Sequence, residues 1–181
     1  MPALNRRTLM AAALGMAWPA WARMTPPTEL RQVLQGAKLQ GEGRLRFLGL
    51  AVYEARLWAP EPVPAEQWAG QPLALELLYA RALYGRKIAE RSIEEMRRQA
   101  EIPDAQGQEW QGALARLIPD VEAGDRLTGV QQPGAATQFF YNGALRGEVR
   151  DPEFTRLFFG IWLSPQTSEP ALRERLLGQA R

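Results

Sequence analysis

Two arginines separated by one residue, Arg44 and Arg46, stand in a stretch of alternating polar and apolar residues. Side chains two apart on a strand share a face, so this pair could form a fork for a carboxylate, or equally a solvent-facing pair on an outer strand. Tyr53, Tyr79 and Tyr84 are the other polar aromatics near that segment, able to act as hydrogen-bond donors or weak acids. Phe158, Phe159 and Trp162 can wall an apolar pocket or fill a core, because a docking helix needs the same stripe. The candidate ligand-binding set is Arg44, Arg46, Tyr53, Tyr79, Phe158 and Trp162, with no catalytic residue assigned.

The carboxylates supply less. Asp125 in Gly124-Asp-Arg-Leu-Thr-Gly129 reads as a turn residue whose carboxylate accepts backbone hydrogen bonds rather than as an acid or base, with Arg126 solvated beside it. Glu94 and Glu95 are adjacent in a helical segment, where neighbours point about 100° apart, and they read as a solvated face. The chain has no Cys and no His. That excludes disulfides, thiol nucleophiles, the Ser-His-Asp relay and His- or Cys-based metal centres. Neither a Gly-rich phosphate loop nor a nucleophile elbow is present, and no cofactor is expected.

The first residues have a function of their own. Arg6-Arg7 precede an apolar block from Ala11 to Trp18, and Pro19 leads into Ala20-Trp-Ala22. A positive start, an apolar stretch and a small-x-small site in this order predict a cleavable export signal over residues 1–22 and a domain over residues 23–181, periplasmic or otherwise exported. A spanning helix needs roughly 20 apolar residues, about twice this block, so no stable membrane span is expected after leader removal. Arg6-Arg7-Thr-Leu-Met also resembles the twin-arginine pattern, and the general route stays open beside it. The chain carries 22 Lys and Arg against 20 Asp and Glu, and the leader holds two of the arginines and no acid. The remainder is formally neutral, which argues against a nucleic-acid partner. Nothing in the sequence decides the oligomeric state.

The elements that must position the candidates follow from period. Residues 23–29 read as a mobile lead-in. Residues 38–58 read as one long strand, with Arg44, Arg46, Leu48, Leu50 and Val52 on one face and Leu45, Phe47, Gly49, Ala51, Tyr53, Ala55 and Leu57 on the other, core-side face. Gly41 and Gly43 suggest a turn or bulge, and Gly49 a close approach. After a proline-rich loop, Leu73 to Tyr79 alternates as a second strand. Tyr84 to Glu101 and Gln108 to Ile118 follow a helical period, the first with Ile88, Ser92, Met96 and Ala100 inward. Residues 127–131, 137–141 and 144–149 read as strands, the last two joined by Asn142-Gly143. Asp151 caps a helix with Phe154, Leu157, Phe158, Ile161 and Trp162 inward, and a last helix ends at Gly178. Helices grouped beside a largely antiparallel sheet define an α+β domain.

The segments Gly41 to Trp58, Ala74 to Tyr79, Gly124 to Gly129 and Phe158-Phe-Gly-Ile-Trp-Leu163, with the closing Leu-Leu-Gly178, resemble the bacterial branch of the chalcone isomerase-like family. The resemblance implies an open-faced β-sandwich, a large antiparallel sheet covered by helices with a cleft between. It also implies one of three functional types: chalcone-closing isomerases, fatty-acid-binding relatives, or bacterial members regarded as non-catalytic. The first two types place an arginine just after Gly-x-Gly to hold an anionic group. Gap-free alignment puts Leu45 there, flanked by Arg44 and Arg46, and a bulge at Gly43 could redirect either arginine. The isomerases also use a Thr before the Val-Tyr strand end and a Tyr in the following helix. The first position falls on Leu48, and the helix after Tyr84 contains no Tyr. The expectation is a non-catalytic protein whose partner is an apolar or amphipathic small molecule such as a fatty acid. The alternatives are an isomerase using Arg44 or Arg46 with Tyr53, Tyr79 or Tyr84, and an interaction protein whose cleft is filled by its own side chains.

Overall fold

Six alternating segments build one antiparallel meander in which every strand pairs with its neighbour in sequence. They are β1 (Lys38–Phe47), β2 (Leu50–Ala59), β3 (Leu73–Tyr79), β4 (Arg126–Gln132), β5 (Ala136–Tyr141) and β6 (Ala144–Val149). Among the described residues, five α-helices and a short 3-10 turn at Trp68–Gly70 accompany them: α1 (Thr28–Val33), α2 (Gly85–Met96), α3 (Asp104–Leu117), α4 (Pro152–Leu163) and α5 (Pro170–Leu176). The computed structural model describes residues 24–179, so the export signal read over residues 1–22 lies outside the described residues. Among the described residues, no helix is long and apolar enough to cross a membrane.

The stretch 38–58 is a hairpin rather than a single strand. Leu48 and Gly49 both take positive φ, 48° and 80°, and form a two-residue turn. Phe47 then faces Leu50, which on its own would reverse the phase of the alternation. A register shift returns it, because Arg46 pairs with Ala51 while Leu45 pairs with Tyr53, leaving Val52 as the extra residue. The two reversals cancel, so Leu45, Tyr53, Ala55 and Leu57 do share the core-side face. A second shift falls at Gln40, between Leu39 and Gly41, and not at Gly43. It carries Leu39 to the opposite face, where ordinary alternation after Leu57 already places its partner Trp58. Gly49 marks the turn and meets no neighbour, whereas Gly41 makes the close approach: a Cβ there would stand 2.0 Å from the Arg175 carbonyl oxygen of α5.

One face of the sheet receives the main core. Ala55, Leu57, Leu73, Leu75, Leu77, Leu127 and Phe139 meet Ala89, Ile93 and Met96 of α2, Trp110 and Leu114 of α3, and Phe154, Leu157 and Phe158 of α4. Asp151 caps α4 through one carboxylate oxygen, which accepts from the Glu153 and Phe154 amides, while its other oxygen accepts from Trp110 Nε1 at 3.0 Å. One side chain therefore ties α3 to the start of α4. Gln99, just past α2, lies over Gly160 and donates to the Leu157 carbonyl at 2.8 Å, which fixes α2 against α4.

The opposite face is also covered. Leu30 and Leu34 pack on Leu39, Trp58, Ala74, Val130 and Phe140, so residues 28 and 29 belong to α1 rather than to a mobile lead-in. The packing leaves acids out of water. Buried Glu29 accepts from Arg126 and Thr128, and buried Glu76 accepts from Trp58 Nε1 at 2.8 Å with Arg56 and Arg126 nearby. Arg126 is thus engaged, not solvated, because α1 brings Glu29 beneath it. Asp125 is the turn residue the sequence suggests. Hydrogen bonds from Asn142 Nδ2, the Glu122 amide and Tyr141 Oη hold its carboxyl below the usual carboxylate range.

Two outcomes follow for stability. Gly41→Ala is expected to lower stability by about 1–3 kcal/mol, read by thermal or urea unfolding, because the added carbon meets backbone of α5 rather than a movable side chain. Burial pushes the Glu76 carboxyl above its ordinary value near 4.5, so the folded state binds that proton more tightly than the unfolded one. Stability from this group is present at low pH and is lost as pH rises through the raised value. Melting curves from about pH 4 to about pH 8 should therefore show Glu76→Gln gaining on the parent as pH rises.

Candidate ligand cavity between the sheet and helices α2 and α4

The main core stops short at the end of the sheet where the β1–β2 turn lies. A cavity of about 580 Å³ opens there, between β1 to β4 on one side and α2 and α4 on the other. Leu77, Leu83, Ile118, Leu127, Phe158 and Ile161 supply apolar wall. Ligand sites of small molecules generally occupy about 300–1,000 Å³ and are mostly apolar with a few placed polar groups. A cleft filled by its own side chains requires the contrary.

Phe158 has both roles its position allowed. Its ring lies 5.2 Å from Phe139, 5.5 Å from Phe154 and 5.5 Å from Trp162, and one side of it still faces the cavity. Phe159 lies off that stripe and packs on β4, where Gly129 leaves it room. Trp162 reaches the sheet: its Nε1–H donates to Tyr53 Oη at 2.9 Å. The phenol oxygen is thereby used as an acceptor, and its own proton remains to donate into the cavity. Tyr79 stands edge-on to Tyr53 at 5.9 Å, and its hydroxyl has no hydrogen-bond partner among the described residues. Burial raises both phenols far above the ordinary tyrosine range. Both are donors at neutral pH, not bases.

The two arginines both border an outer groove beside Glu54, Ala171 and Arg175, because the extra residue Val52 lies on β2 and leaves the alternation of β1 intact. Arg44 pairs there with Glu54 at 3.3 Å, and it does not line the cavity. Arg46 does line it, with one nitrogen donating to the Gly49 carbonyl at 3.1 Å. Arg81, Lys87 and Arg91 add to the same lining, together with the acids Glu95 and Glu169. Lys87 is paired with Glu90, and Arg91 with Glu94 and Glu95, whereas Arg46 and Arg81 have no carboxylate partner among the described residues. Tyr84 is exposed and outside the cavity, as is Leu48 in the turn.

Glu95 corrects the expectation of a solvated Glu94-Glu95 face. Glu94 is exposed, but Glu95 is buried against the cavity, with Arg91 on one carboxylate oxygen and Arg98 Nε 3.5 Å from the other. The signal was present in the helical period. Position 95 lies seven residues after Ile88 and three after Ser92, so it shares their inward face. Arg81 carried no such signal, since it sits in the loop after β3 and reaches the cavity only because Ala80 bonds to the Val52 carbonyl at 2.9 Å. The resulting site has an apolar interior, two neutral phenol donors and two uncompensated cations at its rim. It can hold an apolar chain with an anionic head.

Spectrophotometric titration of the tyrosines checks the electrostatics. Tyr53 and Tyr79 are expected to ionise only when the fold gives way at high pH, and the late amplitude should shrink in Tyr53→Phe and Tyr79→Phe.

Known proteins supply the remaining comparison. The chain matches a family described as chalcone isomerase-like over residues 22–178. An uncharacterized protein of Haemophilus influenzae is 27% identical over 111 residues, covering 61% of this chain and 54% of that protein. The chain thus spans about half the length of this relative. The solved structure of an Arabidopsis thaliana fatty-acid binding protein superimposes with a TM-score of 0.61 at 16% identity, covering 79% of this chain and 87% of that one. At that identity the likeness concerns the fold, and it agrees with the six-stranded antiparallel sheet and its helical cover. By the extent of the family match, the chain belongs to the chalcone isomerase-like family.

Proposed function

We propose that the chain is an exported, non-catalytic binding protein for an amphipathic small molecule with an apolar tail and a carboxylate head, such as a fatty acid. One observation carries this reading: a cavity of about 580 Å³, apolar within, is lined by Arg46 and Arg81, neither of which has a carboxylate within ion-pair distance among the described residues, although Glu169 shares the lining. The tail would lie along Leu77, Leu127, Ile118 and Phe158, and the head would meet Arg46 with Tyr53 or Tyr79 as donor. An arginine–carboxylate contact in a partly dry site is stronger than a neutral hydrogen bond and fixes the orientation of the ligand. The Arabidopsis protein of similar fold is a fatty-acid binding protein, which supports the same class of ligand. The export component rests on the leader pattern of residues 1–22, and N-terminal sequencing of the exported protein should find a start near residue 23.

Native mass spectrometry of the protein as purified, followed by titration with a panel of fatty acids, tests the binding. One equivalent of fatty acid per chain is expected. Arg46→Ala should weaken binding roughly tenfold or more, the worth of a hydrogen bond to a charged group, while Arg44→Ala stays within about twofold. A protein that carries no lipid and takes up none from the panel would overturn the proposal. A chalcone offered to the same preparation should remain open.

A further inference from the structure

The β1–β2 turn spends conformational energy to present an apolar side chain to water. Leu48 holds φ at 48°, in the left-handed region that favours Asn or Gly, and is 87% exposed. The same two-residue turn recurs at Asn142-Gly143, where Asn142 both suits the conformation and uses its side chain to bond Asp125 and the Arg126 amide. Neither turn preference nor packing accounts for leucine at position 48. Its neighbours Phe47 and Leu50 are 65% and 60% exposed. Three large apolar side chains therefore project together from one convex tip.

The surroundings of that tip are cationic. The loop after β3 runs beside it, tied by the hydrogen bond from Ala80 to Val52, and brings Arg81 and then Arg86 and Lys87 at the start of α2. Arg44 and Arg46 flank the tip on β1. The acids near these groups are Glu54, Glu90, Glu95 and Glu169; the first three are already engaged by cations, and the cations outnumber the acids. Arg46, Phe47, Arg81 and Lys87 also line the cavity, so the apolar tip and its basic surround stand at the cavity mouth.

We infer that the β1–β2 tip docks on a bilayer containing anionic phospholipid, with Phe47, Leu48 and Leu50 entering the acyl region and the basic residues meeting the phosphates. The cavity mouth then faces the membrane, which gives an amphipathic ligand a path that avoids water; this function of the tip rests on the ligand-binding reading. Charge complementarity selects this occupant, since apolar side chains backed by Lys and Arg are the composition of interfacial anchors. A protein partner is disfavoured by size, because three side chains fall well short of the ~800 Å² per partner of a stable interface. A second copy of the chain would set Arg46 and Arg81 against their own equivalents across a two-fold axis.

Flotation with vesicles tests the inference, using the protein as exported, the double variant Leu48→Asn, Leu50→Ser, and dodecanoate titration in solution. Neither substituted residue lines the cavity, and Asn suits the turn, so melting temperature and dodecanoate affinity should stay close to the parent. The parent is expected to float with phosphatidylglycerol–phosphatidylcholine vesicles, weakly with phosphatidylcholine alone, and the double variant roughly tenfold less than the parent. Equal flotation of parent and variant, or no flotation of the parent with either vesicle, would overturn the membrane contact. So would a dimer that the variant dissolves without any vesicle binding, which assigns the tip to a second copy. Tip-dependent flotation without dodecanoate binding would instead defeat the ligand reading and leave the membrane contact standing.

Discussion

The hydrogen bond from Trp162 to Tyr53 is the line at which a packed core becomes a cavity. On one side of it, Phe154 and Phe158 stack at 5.5 Å over Phe139 and the sheet and helices interdigitate. Beyond it, the side chains of α2 and α4 leave the space above β1 and β2 unfilled. The bond closes the core without filling the space. It uses an indole donor that would otherwise be buried unpaired, and it leaves the Tyr53 hydroxyl free to donate elsewhere. A site and a stable interior can thus share Phe158, Tyr53 and Trp162 without competing for them.

The opposite face supplies the counterweight. A sheet covered on one side only would leave Trp58, Phe140 and Val130 in water, and α1 prevents this. The cover places Glu29 and Glu76 where solvent cannot reach them, and the sheet supplies Arg126, Arg56 and Trp58 as partners. Buried ion pairs add little net stability over apolar packing, but removal of one member is costly because the other is left alone. The Glu29–Arg126 pair therefore fixes where α1 sits rather than how strongly it binds, while Glu76 with Arg56 and Trp58 ties β3 to β2.

Much of this was legible in the sequence, and what was not has specific causes. The strands after residue 126 were readable because Asn142-Gly143 names its own turn, even though a register shift at Arg146 interrupts the pairing of β5 with β6. The first hairpin was not, because Leu48 carries no turn signal and the compensating shift at Val52 restored the phase that the turn had reversed. The face assigned to Tyr53 was right although the strand was not. Arg44 and Arg46 keep their shared side of β1, but Arg46, nearer the turn, also reaches the cavity, which Arg44 does not. Arg81 and Glu95 entered the site through a loop position and an inward helical position that charge alone argues against.

The close approach at Gly41 has a consequence for the order in which the chain can be completed. Every strand pairs with its neighbour in sequence, so the meander can grow residue by residue, but the core-side face of β1 is completed only when α5 packs on it, at glycines that leave the backbone bare. At the other end of the sheet, β6 is approached by Leu117 of α3 at Gly147. The first strand in the chain is thus the last to be covered, with Leu172 and Leu176 closing that corner of the core.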